Sequence, residues 1–272
     1  MSDDPSASGQ SRTGIDTSVA HPARIWNYWL GGKDNFEVDR EIGERLIVIL
    51  PELVDSVRAD RRFLARAVEY LAGQVGIRQF LDIGTGLPTA DNTHQIAQRL
   101  APEARIVYVD NDPLVLSHAR ALLTSTPQGA CDYIHADVHE PGPILAGAAS
   151  TLDLAKPVAI MMLGILNFVL DADEAQAIVR RLLDSVPSGS YLVISHPTTE
   201  VDPEAAMRLQ QVWNRQGAAP LRTRTREEVV RFFDDLDLVE PGVVSCSRWR
   251  ADQADPGEIA EVAHFCGVAR KP

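Results

Sequence analysis

From residue 79 onward, short apolar runs alternate with segments whose apolar residues recur at helical spacing. The runs predict strands at 79–83, 105–109, 131–136, 157–163, 190–195, 238–246 and 264–270. The intervening spacing predicts helices over 92–100, 112–123, 173–186, 203–216 and 225–236. Strands that are apolar on both faces belong inside a parallel sheet covered by helices on both sides. The expected fold class is therefore α/β: a doubly wound, seven-stranded, mostly parallel sheet. The last strand is expected to run antiparallel, with the polar segment 251–258 completing a final hairpin.

The chain before residue 79 reads differently. Residues 1–18 are rich in Ser, Asp, Gly and Thr and are expected to be a disordered tail. Segment 23–30 predicts an aromatic-rich helix stopped by Gly31-Gly32. Segments 36–50 and 52–71 predict two more helices, the first ended by Pro51. The expected organisation is a tail over 1–18, a helical cap over 19–73 and a ligand-binding domain over 74–272.

Bulk numbers narrow the function. A net charge of −12 argues against general nucleic-acid binding, because phosphate backbones are held by Lys and Arg. Cys131, Cys246 and Cys266 are odd in number and far apart, which suits reduced thiols in a cytoplasmic protein without structural zinc. No apolar stretch reaches the ~18–20 residues of a membrane span, so no membrane contact is expected. Oligomeric state has no readable signal.

The chemistry concentrates at strand ends. Leu81-Asp82-Ile83-Gly84-Thr85-Gly86 is an apolar strand ending in an acid and a glycine-x-glycine turn. Glycines there permit close backbone approach, and the helix expected next would offer N–H groups to an anion. The second strand ends in Asp110, followed by Asn111, Asp112 and Pro113. Asp112 is placed to cap the helix that Pro113 begins. Asp110 has no such task and stands where a carboxylate would accept both hydroxyls of a ribose. Asp137, beside Val138, ends the third strand and either meets an adenine amino group or caps its own loop. Leu163-Gly164 ends the fourth strand with a small residue that leaves room for a ligand. Asn167 is either a binding residue or a helix cap. The expected ligand is a nucleoside-containing cofactor.

Together these features resemble the class I S-adenosylmethionine-dependent methyltransferases, whose fold is Rossmann-like. The resemblance implies S-adenosylmethionine as cofactor. It assigns Asp82, Gly84, Thr85 and Gly86 to the methionine end, Asp110 with Asn111 to the ribose, and Asp137 with Val138 to adenine. Pro88 stands where the usual pattern has a further glycine, so contacts beyond Gly86 are not carried over. Leu30-Gly31-Gly32-Lys33-Asp34-Asn35-Phe36, together with the Asp82 and Tyr108 segments, is similar to a bacterial S-adenosyl methyltransferase group formerly described as a domain of unknown function. That similarity implies that the glycine-lysine segment closes over the cofactor, with Tyr28, Lys33 and Asn35 as contacts. The expected reaction is methyl transfer to a small molecule. Tyr28 and His196 stand as candidates near the acceptor, His196 being equally a histidine satisfied by backbone. No residue is assigned a catalytic role.

Rival readings lack their residues. A dinucleotide site would want glycine at Thr89. A short-chain dehydrogenase needs Tyr-x-x-x-Lys, and no tyrosine has Lys four residues on. His135, Asp137, His139 and Glu140 have ligand-like spacing, but Pro141-Gly142 breaks any helix that would align them, and no metal is expected. A Gly-x-Ser-x-Gly elbow and a phosphate loop are both absent. A protein that binds S-adenosylmethionine without turnover is the remaining alternative.

Overall fold

The computed structural model describes residues 16–88, 91–122, 124–216, 219–251 and 259–272, with backbone alone for 119–122. Most of the expected tail, Thr89, and residues 252–258 of the expected hairpin segment lie outside the described residues.

Three helices open the described chain: α1 (Pro22–Trp29), α2 (Glu37–Ile49) and α3 (Leu53–Glu69). Proline at the first position and the His21 side chain, which accepts from Ala23 N at 3.3 Å, start α1. Gly31 at φ +78° ends it. A wider turn, Tyr70–Val75, finishes the third helix before Gly76.

The sheet follows as β1 (Gln79–Ile83), β2 (Arg105–Asp110), β3 (Ala130–His135), β4 (Ala159–Leu163), β5 (Tyr191–Pro197), β6 (Asp237–Leu238), β7 (Val244–Ser245) and β8 (His264–Arg270). Between them run α4 (Thr93–Leu100), α5 (Pro113–Leu122), α6 (Pro141–Ala148), α7 (Ala172–Asp184), α8 (Pro203–Gln216) and α9 (Arg226–Val230). The strand order is β3-β2-β1-β4-β5-β8-β6, with β7 also paired to β8. The pairs β1·β2, β2·β3, β1·β4 and β4·β5 are parallel, and β8 is antiparallel to its neighbours. The chain leaves β3 at one edge and re-enters beside β1 as β4. That reversal opens a crevice beyond the carboxyl ends of β1 and β4.

The expected single strand over 238–246 is two short pieces. Pro241 has no N–H to give the ladder, and Gly242 at φ +82° turns the chain back. The expected helix over 225–236 shortens to α9 and a tight turn at Arg231–Phe233. Helix α6 was not expected from the sequence. Its eight residues include Gly142 and Gly147, which obscure the helical pattern.

Side chains of β1 alternate between two cores. Leu81 and Ile83 pack with α6 and α7 on one face, and Phe80 packs with α3 and α4 on the other. A third cluster joins α1, α2 and the start of α3 to Leu209 and Trp213 of α8. Helix α3 serves both layers: Leu53 and Val57 face this cluster, whereas Phe63, Leu64 and Ala67 lie against the sheet.

A buried acid organises the first layer. Asp39 is fully buried and accepts from His21 N and Phe36 N, each at 2.9 Å. Arg24 lies 3.9 Å from it and 3.4 Å from Asp112. Asp39→Ala removes both backbone anchors and leaves Arg24 short of a partner. It should lower unfolding free energy by about 3–5 kcal/mol, read as a shifted urea midpoint; an unmoved midpoint contradicts this account.

Candidate functional site

Four consecutive strand ends meet at the crevice. Gly84 and Gly86 follow β1 at φ +77° and +67°. A Cβ on Gly84 would strike the Ile165 side chain at 2.6 Å, so glycine is required there. Gly84 N and Thr85 N both donate to Val109 O, at 2.8 and 3.3 Å. Gly86 N donates to Asp110 Oδ2 at 2.8 Å. The loop therefore spends its amides inside the protein. Helix α4 begins seven residues beyond Gly86, and its His94 amide donates to the Tyr108 hydroxyl at 2.8 Å. Those four amides are therefore not free for the anion expected at this loop.

Asp110, 7% exposed, also accepts from Asp112 N at 2.9 Å. It thus has a local task that the sequence did not reveal, holding the glycine loop to the start of α5. Four acceptor positions on a carboxylate leave capacity for two more donors. Burial pushes its pKa up, against the pull of the two amides. Asp112 caps α5 as expected, accepting from Leu114 N at 2.9 Å. Its other oxygen lies 3.1 Å from His21 Nδ1 of the helical layer.

Asp82 is buried and receives the Thr93 hydroxyl at 2.6 Å. Burial pushes its pKa up to about 6; Thr93 and Arg61 pull the other way, while Asp110 and Asp60 add to the rise. Asp137 accepts from Asn111 Nδ2 at 2.9 Å and from His139 N at 3.0 Å. Burial would raise its pKa, but those hydrogen bonds outweigh it and leave the carboxyl below its usual range. His135 turns its Nε2 to the Asn111 carbonyl at 3.0 Å.

One cavity of about 620 Å³ joins these groups. Asp82, Gly84, Thr85 and Gly86 line it from β1, Asp110 and Asn111 from β2, Asp137 and Val138 from β3, and Leu163 and Gly164 from β4. Asn167 lines it too, 4% exposed, its side-chain oxygen without a hydrogen-bond partner among the described residues. An orphaned buried polar atom beside a glycine-walled crevice fits a bound organic ligand.

Three expected contacts lie elsewhere. Tyr28, Lys33 and Asn35 are not among the residues lining the cavity. Asn27 Oδ1 pins the glycine-lysine segment by accepting from Asp34 N and Asn35 Nδ2, at 3.0 and 2.9 Å, so the segment folds back on α1. Lys33 stays exposed, and the Tyr28 hydroxyl donates to Glu44 at 3.3 Å. His196 also stands apart from the cavity. It is fully buried between Pro197 O and Arg224 Nη1, at 2.8 and 2.7 Å. Burial and then Arg224 push its pKa down to about 3.

The sequence reading missed His21, Trp26, Asp60, Trp213 and His264, all of which border the cavity. Asp60 carried a signal. It falls on the apolar stripe of α3, three residues after Val57 and four before Leu64, where an unpaired acid would be costly.

The comparisons with known proteins agree with this geometry. The fold and crevice define an S-adenosylmethionine-dependent methyltransferase of the Rossmann-like class, with S-adenosylmethionine as cofactor. Residues 8–272 match a family described as S-adenosyl methyltransferase, and the chain belongs to that family. It is 47% identical to a DUF574 family protein from Streptomyces avermitilis MA-4680, covering 95% of this chain and 100% of that one at TM-score 0.91. It is 40% identical to a Thermobifida fusca YX protein described provisionally as a methyltransferase, covering 97% and 99% at TM-score 0.87. An S-adenosylmethionine-dependent methyltransferase from Anabaena variabilis ATCC 29413 shares the fold at 12% identity, covering 95% and 98% at TM-score 0.51. No curated protein matches the chain. Among the described residues, no helix is long and apolar enough to cross a membrane.

Asp82 gives a pH signature. A carboxyl whose folded pKa lies above its unfolded value near 3.8 favours the fold when protonated, and that contribution is lost as pH rises towards about 6. The stability of Asp82→Asn relative to the parent should therefore rise by on the order of 3 kcal/mol between pH 4 and pH 7, measured by urea unfolding at each pH. A difference that does not change with pH would show that Asp82 ionises normally.

Proposed function

We propose that the protein transfers the methyl group of S-adenosylmethionine to a small molecule held in the same cavity. The observation that carries this reading is the continuity of that cavity. It runs from the acid-bearing ends of β1, β2 and β3 to a chamber walled by α1, the start of α3 and α8. Residues 19–73 act as a cap over the 74–272 cofactor-binding domain. The three free cysteines, Cys131, Cys246 and Cys266, support a reducing cytoplasmic setting.

S-adenosylmethionine, when bound, supplies a methyl carbon made electrophilic by its positively charged sulfur. Little covalent help is then needed from the protein. Asp110 uses its remaining acceptor capacity on the ribose hydroxyls. Asp137 and Val138 form the adenine edge of the site. Asp82, Gly84, Thr85 and Gly86 border the methionine end, where a buried carboxylate stabilises positive charge. Gly164, at φ +59°, leaves the floor of the crevice open beneath the reacting atoms. The apolar chamber excludes water and fixes the acceptor's approach, which is where most of the acceleration arises.

Asp110→Ala tests the ribose assignment. Losing hydrogen bonds to a carboxylate costs ~1.5–3 kcal/mol, so S-adenosylmethionine affinity by calorimetry should fall roughly ten- to a hundredfold or more. Asp110→Asn keeps an oxygen for one of the two backbone amides and should still lose most of that affinity. Unchanged affinity in both folded variants would refute the assignment.

A further inference from the structure

The acceptor end of the cavity has an unusual wall. Five rings run round it in sequence: His264, Trp26, Trp29, Trp213 and Phe168. Their centroids are 5.8 Å apart from His264 to Trp26 and from Trp26 to Trp29, then 6.2 Å from Trp29 to Trp213 and from Trp213 to Phe168. Two indole N–H groups are already used: Trp29 Nε1 donates to Gly43 O at 3.2 Å and Trp213 Nε1 to Ala219 O at 2.7 Å. Those rings therefore present carbon surface to a ligand. Trp26 stands at the junction of the two halves, its ring 3.9 Å from where a Cβ on Gly164 would sit.

Charge along the cavity is lopsided. Asp60, Asp82, Asp110, Asp137, Asp171 and Glu174 line it, whereas Arg61 is the one Lys or Arg among the described lining residues. Asp60, 4% exposed, lines the cavity close enough for its charge to act on His264. Two hydrogen-bonding atoms of lining residues have no partner among the described residues: the Asn167 oxygen and His264 Nε2, in residues 4% and 3% exposed. Burial lowers the pKa of His264, which keeps the ring neutral and able to accept a hydrogen bond.

The geometry points to an amine on an apolar, ring-bearing skeleton as the methyl acceptor, seated in this aromatic arc with its nitrogen towards Asp60, Asn167 and His264. The inference rests on the methyl-transfer reading given above. Aromatic faces and carboxylates both attract a cation, and neither suits an anion. A carboxylate- or phosphate-bearing acceptor would meet like charge on several sides. A hydroxyl acceptor would have to develop negative charge in the same acidic surroundings, where Arg61 is the one Lys or Arg among the described lining residues. An amine avoids both costs. The bound ammonium first yields one proton to water; the freed nitrogen lone pair then forms the N–C bond while the C–S bond breaks with its electrons on sulfur. The positive charge passes from sulfur to nitrogen inside one acidic cavity, and the ammonium product later yields its proton to water.

Three probes of one shape separate the outcomes: 2-phenylethylamine, 2-phenylethanol and 3-phenylpropionate. Each is titrated calorimetrically into the full chain saturated with S-adenosylhomocysteine, so that binding is read without turnover. The amine should bind about tenfold or more tightly than the alcohol, with the carboxylate weakest. Asp60→Asn should narrow the amine-to-alcohol ratio severalfold, and the ranking in the parent chain stands as a test should that variant fail to fold. Equal or tighter binding of the alcohol or the carboxylate, or no binding of any probe, overturns the inference. The preliminary titration with S-adenosylhomocysteine keeps the two readings apart. Failure at that step removes the cofactor reading and this inference with it, whereas success followed by no amine preference removes the inference alone.

Discussion

The site depends on a carboxylate that is buried and must be hydrogen-bonded where it stands. Asp110 ends an inner parallel strand, where it is 7% exposed. Left unpaired there, it would oppose folding. Gly86 N and Asp112 N supply the compensation, one on each oxygen. In doing so they fix two further things: the path of the glycine loop after β1 and the first turn of α5. One side chain therefore aligns two strand ends and still has acceptor positions open to the crevice. Asp82 is served in the same way by Thr93. These acids are held by the fold before any ligand arrives.

The helical layer is tied into this arrangement through Asp112. His21 and Arg24, at the start of α1, both approach its second oxygen, at 3.1 and 3.4 Å. Asp39 in turn holds the backbone of His21 and Phe36. A chain of contacts thus leads from the α2 acid, through the base at the start of α1, to the residue two positions after Asp110. Arg24 also lies over the Phe36 ring at 5.3 Å, so its apolar surroundings do not leave the guanidinium without favourable contacts.

Much of the sheet was legible because burial on both faces writes itself as uninterrupted apolar runs. The range of β1 is the one its run predicts, and α8 spans its expected 203–216. The segment 238–246 misled because apolar residues flank Pro241-Gly242 and mask the break. The strand-end residues from Asp82 to Gly164 could be read because an acid or a glycine after an apolar run is locally conspicuous. The chamber could not. Trp26, Trp213 and His264 come from α1, α8 and β8, and nothing in their own neighbourhoods announces that they meet. Tyr28, Lys33 and Asn35 belong to a conspicuous local motif that shapes the turn after α1, with Asn27 as its pivot, outside the residues that line the cavity.

The position of β8 has a consequence for biosynthesis. It follows β6 and β7 along the chain yet lies between β5 and β6 in the sheet. Until residues 264–270 have left the ribosome, β5 keeps a bare hydrogen-bonding edge and β6 and β7 have nothing to pair with. The same late segment carries His264, one wall of the chamber. The cavity wall is therefore complete only once almost all of the described length has been translated, and the bare edge is where a holding chaperone would act.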